Sequence, residues 1–89
     1  MMDLHNYTET VVREVLNEIL VKREDLCKCQ KCRLDIMAIA LNHLPPHYYV
    51  SDRGEVFSKL QASYVETRAM VTAEITKAIM QVEKQPHHQ

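Results

Sequence analysis

Three cysteines fall within six positions, in Cys27-Lys28-Cys29-Gln30-Lys31-Cys32, and the chain has no others. An odd number packed this tightly cannot form a full set of disulfides, so it points to a reducing compartment and to metal ligation in place of cross-links. In a chain of 89 residues this bears on the fold itself. A domain of that size buries a modest share of the surface its unfolded chain exposes, and small domains commonly depend on a disulfide, a metal ion or a second subunit.

With 46% hydrophobic and 26% charged residues the chain has the balance of a folded domain, and with 1 Gly and 3 Pro it lacks the turns that many short strands require. An all-α domain spanning residues 1–89 is therefore expected. A net charge of -1 makes a poor partner for a nucleic-acid backbone, and direct DNA binding is not expected. The positive charge is local: Lys22, Arg23, Lys28, Lys31 and Arg33 surround the cysteines against Glu24 and Asp25 alone. No apolar run approaches the roughly 18 residues of a membrane span, and the N-terminus shows no basic patch followed by an apolar run, so a cytoplasmic protein is expected.

Three main helices are legible. The first starts near Asn6 or Thr8, with Asn6 as cap and Glu9 three positions on, and carries Val11, Val12, Val15, Leu16, Ile19 and Leu20 at helical spacing to about Lys22. The segment 25–33, with the cysteines, shows no periodicity and reads as a compact loop. A second helix from about Leu34 to His43 is apolar nearly all round and reads as the buried centre of the core, stopped by Pro45 and Pro46. Residues 47–50 read as an extended connector.

Ser51 or Asp52 caps a third, long helix whose stripe is Phe57, Leu60, Tyr64, Val71, Ile75, Ala78, Ile79 and Val82. Roughly 28 residues at about 1.5 Å each give about 42 Å, longer than a globule of this size, and a homodimer in which these helices pack is inferred. Residues 86–89 read as a flexible tail, and His87 and His88 are not read as ligands.

Thiolates and imidazoles suit tetrahedral zinc, and the two-residue gap between Cys29 and Cys32 lets both sulfurs reach one ion at about 2.3 Å. Lys28, Lys31 and Arg33 offset the excess negative charge that three thiolates leave on a divalent ion. The fourth ligand is open: His5, His43, His47, Asp25, a water or a second subunit, with His43 and His47 ranked first because they flank the proline corner. The zinc is read as structural, since neither a His-Glu-x-x-His nor a His-x-Glu pattern accompanies it. Asp35 and Asn42 lie seven apart and share a helix face, and Tyr48 and Tyr49 beside the prolines are candidates to stack on a flat ligand.

Taken together, Asp25-x-Cys27-x-Cys29-x-x-Cys32 followed by Asp35-Ile36-x-Ala38-x-Ala40-Leu41-Asn42-x-Leu44-Pro45-Pro46-x-Tyr48 resembles the late competence development protein ComFB family. The resemblance implies a small, helical, dimeric, zinc-binding cytoplasmic protein of late competence or motility. It also implies a receptor for cyclic dinucleotides, cyclic di-GMP or cyclic di-AMP, that signals to protein partners. Chemistry alone nominates Lys31, Arg33, Asp35, Asn42 and Tyr48 as ligand-binding residues, cations for the phosphates, Arg33 and Asp35 for a guanine edge and the tyrosine for stacking. The alternative is a structural adaptor of the DNA-uptake machinery with no nucleotide ligand. Neither reading is enzymatic: paired carboxylates, an activated nucleophile and a phosphate-gripping glycine loop are not legible.

Overall fold

The computed structural model describes residues 3–51 and 63–84. Its elements in chain order are β1 (Asp3–Asn6), α1 (Tyr7–Lys22), α2 (Gln30–Asn42), β2 (Tyr48–Ser51) and α3 (Tyr64–Lys84). Among the described residues three helices carry the domain, as expected, and the longest of them is the last.

The first helix follows its sequence closely. Asn6 is the cap, its side chain accepting from the Thr8 amide at 3.2 Å, which satisfies one of the amides that a helix start leaves without a partner. Glu9 pairs with Arg13 one turn on, at 3.0 Å. Val11, Val12, Val15, Leu16 and Leu20 are buried, and they meet Val71, Ile75, Ala78 and Ile79 of α3 and Ile36, Met37 and Ala40 of α2 in one core. Tyr64 and Val82 pack on its margin. The expected positions Phe57 and Leu60 and the cap candidate Asp52 lie outside the described residues, while the other cap candidate, Ser51, is the last residue of β2, paired with Asp3.

Three expectations need correction. α2 begins at Gln30, not Leu34, because Cys29 itself serves as cap: its Sγ accepts from the Cys32 amide at 3.4 Å and its carbonyl oxygen accepts from the Arg33 amide at 3.0 Å. Nor is α2 buried on most sides. Leu34 is 50% exposed and Ala38 is on the surface, while Cys32, Ile36, Met37 and Ala40 face the core. A run of apolar residues gives no direction by itself: here Leu34 and Ala38 face outward, and Ile39 and Leu41 are only partly covered at the core's margin.

The extended connector is in fact a strand. β1 and β2 pair antiparallel with Leu4 opposite Val50 and His5 opposite Tyr49. His5 stacks on Tyr49 with centroids 5.3 Å apart, and Tyr7 meets the same ring edge-on at 6.4 Å. The ribbon and the proline corner are fastened to the start of α1. The Tyr7 amide donates to the His47 carbonyl at 2.7 Å, the His47 amide to Asn6 Oδ1 at 3.0 Å, and Thr8 Oγ1 to the Pro45 carbonyl at 2.8 Å.

Candidate metal centre

The α1–α2 joint brings the three cysteines together. Their sulfurs all lie within 4.8 Å of one another. A tetrahedral ion about 2.3 Å from each sulfur would space them about 3.8 Å apart, so the donor set fits zinc with small movements. The cluster combines two exposed thiols, Cys27 and Cys29, with a buried one, Cys32. Cys29 and Cys32 owe their approach to the first turn of α2, while Cys27 arrives on the non-helical chain that leaves α1.

Burial pushes the Cys32 thiol up to about 12, and its hydrogen bonds with Cys27 and Cys29 add to the rise. Three thiolates therefore do not coexist here without a positive ion to compensate them. The N-terminal end of α2 contributes partial positive charge. Its first turn contains no acidic residue, and the lysines and arginines nearby would offset the negative charge of thiolates on a metal ion.

Several of those cations are also tied down. Arg23 grips Asp25 through two bonds, of 3.1 and 2.7 Å, and Lys31 reaches Asp35 at 3.1 Å. Arg33 donates to Asn17 of α1 at 2.7 Å and to the Lys28 carbonyl at 3.4 Å. The Arg23 guanidinium holds the Asp25 carboxyl below its ordinary range, so Asp25 already serves as an ion-pair partner.

The ranking of His43 and His47 as fourth ligand does not survive the fold. His43 is the C-terminal cap of α2, about 16 Å along the helix from Cys32 at 1.5 Å per residue. Its Nδ1 is 2.8 Å from the Ile39 carbonyl oxygen. His47 is farther along the chain, at the start of α1, and His5 is in the ribbon. Flanking a proline corner puts both histidines at the wrong end of the helix.

The nominated ligand-binding residues do not converge either. Residues two apart on a helix lie about 200° apart around it, so Arg33 and Asp35 face opposite sides of α2. Lys31, Asp35 and Asn42 share the outward stripe, and Tyr48, 66% exposed, is on β2. The structure reveals two features that the motif did not. Arg13, Asn17, Gln30 and Arg33 line a groove between α1 and α2 with Leu34 and Met37. Glu83 of α3 lines the cavity that also holds Cys27 and Cys32. The only sequence signal for Glu83 is its place one turn beyond Ile79 on the same side of α3.

Fold and site together define a small helical protein with a thiol cluster of metal-ligand geometry at its first interhelical joint. Residues 5–86 match the late competence development protein ComFB family, and the chain belongs to that family. The competence protein ComFB of Bacillus subtilis (strain 168) is 29% identical over 58 residues, 65% of this chain and 59% of that protein's length. The solved structure of the late competence protein ComFB from Bacillus subtilis matches with a TM-score of 0.74 over 94% of this chain and 92% of that one. At 24% identity that likeness establishes the shared fold. No helix among the described residues is long and apolar enough to cross a membrane.

Proposed function

We propose that this chain is a cytoplasmic, non-enzymatic regulatory protein of late competence, stapled by one structural zinc ion and acting as a homodimer through protein partners. The observation that carries the reading is the gathering of three sulfurs within 4.8 Å at the N-terminal end of α2. Zinc there joins the end of α1 to the start of α2, where the backbone between residues 23 and 29 has little regular structure of its own. Leu34 of α2 and Val65, Met70 and Met80 of α3 are large and exposed, and they offer apolar surface to a second copy or a partner. Light scattering before and after chelation tests the assembly: a dimer that loosens without metal supports the reading, and a monomer throughout removes the homodimer from it.

The groove between α1 and α2 favours a second reading, a cyclic dinucleotide receptor. Arg13 and Arg33 both line it, with Asn17 and Gln30 beside them, and paired guanidiniums suit phosphate. This reading uses Arg33 alone of the residues nominated from sequence, because Lys31, Asp35, Asn42 and Tyr48 do not line the groove. Calorimetry on the metal-loaded protein with cyclic di-GMP and cyclic di-AMP decides it. Binding that weakens tenfold or more in Arg33→Ala supports the receptor; no heat with either nucleotide leaves the protein-binding regulator alone.

A further inference from the structure

The three sulfurs leave a tetrahedral ion one ligand short, and the far wall of their cavity is α3. Leu26, Ile36 and Ile79 make that cavity apolar, and Glu83 lines it together with Cys27 and Cys32. Glu83 follows buried Ile79 by four residues, so it lies on the same side of α3 one turn past the point where the core ends, and its side chain is exposed there at the cavity mouth. Its charge also acts on Arg23, after the larger effect of Asp25, so the carboxylate is within electrostatic reach of the start of the segment that leaves α1 for the cysteines.

We propose that Glu83 is the fourth ligand of the metal held by Cys27, Cys29 and Cys32, so that the ion ties α3 to the α1–α2 joint. The proposal rests on the metal reading above. Glu83 stands outside the group of sulfurs within 4.8 Å, and ligation takes a rotation of its side chain across the cavity. A carboxylate oxygen is an ordinary zinc ligand at about 2.0 to 2.2 Å. Three thiolates and a carboxylate make the centre strongly anionic, which gives Lys22 and Lys28 a purpose as compensating charge. The consequence reaches beyond the loop. Metal loss would release the C-terminal end of α3 as well as the joint between the first two helices.

Cobalt(II), which takes the same tetrahedral ligands and reports them in its absorption spectrum, is the probe, with zinc competing it off to give affinities. Glu83→Gln is expected to keep its helical circular dichroism and its three thiolate-to-cobalt charge-transfer contributions while binding zinc at least about tenfold more weakly. Glu83→Cys is expected to raise the charge-transfer intensity from three thiolates' worth to four. Should Glu83→Gln match the parent in affinity and spectrum, and Glu83→Cys add no intensity, the assignment is overturned. Loss of cobalt in Cys32→Ser in that case shows that the metal reading itself still holds. A parent protein that takes up neither cobalt nor zinc overturns both.

Discussion

The guanidinium of Arg68 closes on both carboxylate oxygens of Glu18, at 2.8 and 3.1 Å, across the packed surfaces of α3 and α1. The same side chain donates to Tyr64 Oη at 3.2 Å and lies over that ring, and Tyr64 in turn donates to Glu14 at 2.7 Å. A planar fork holding a carboxylate through two parallel bonds is geometrically specific where a single exposed ion pair is not. Arg68→Lys keeps the charge and loses the fork. It is expected to lower the melting temperature, and the loss should shrink as salt is added. Thermal melts at low and high ionic strength check this; a lysine variant as stable as the parent at low salt would contradict it.

That fork also sets an acid limit. The hydrogen bond from Arg68 holds the Glu18 carboxyl below its ordinary value of 4.5. A carboxyl whose folded pKa is depressed adds stability that is fully present above the unfolded value and is lost as pH falls through the folded one. The stability difference between the parent and Glu18→Gln should therefore be steady near neutrality and narrow below about pH 4.5. Melts across that range provide the measurement.

The core is expected to tolerate little. Ile75 is fully buried between α1 and α2, and Ile75→Ala should cost about 2 to 5 kcal/mol. Against a total of about 5 to 15 kcal/mol for a domain, that brings a small protein near its threshold. Urea denaturation should show a lower midpoint with an unchanged slope.

Asn6 works twice, capping α1 through the Thr8 amide and holding the proline corner through the His47 amide. Asn6→Ala removes the one oxygen that accepts both bonds, and the expected loss is about 1 to 2 kcal/mol. Asn6→Ser restores the cap but is too short to reach both amides, so it should recover part of the loss. Denaturation of the two variants side by side reads the difference.

Where the sequence was sufficient and where it was not follows from how far each signal reaches. The valine and leucine spacing of α1 and the stripe from Val71 to Ile79 are local, and a period of 3.6 residues identifies them without help. Asn6 was readable for the same reason. The ribbon was not, because Leu4 and Val50 are 46 positions apart and four-residue strands carry almost no pattern of their own. Cys29 escaped as a cap because its thiol stands where serine or aspartate is usual. The three sulfurs were legible as a site, since their spacing alone brings them together. Glu83 was not, for its place at the cavity of the cysteines depends on how α3 packs over α2, and the histidines misled because closeness to prolines says nothing about which end of a helix they occupy.

Metal content bears most directly on the centre. The buried Cys32 thiol, pushed up to about 12 before any ion is bound, must give up its proton on ligation, so affinity should fall steadily as the solution is acidified. Elemental analysis of protein purified without added metal, followed by thermal melting with and without a strong chelator, is the decisive measurement. One zinc per chain and a melting temperature that drops sharply once it is removed is the result expected of a stapled bundle. Metal-free protein that melts at the same temperature, and keeps doing so with alanine at Cys27, Cys29 and Cys32, would contradict it.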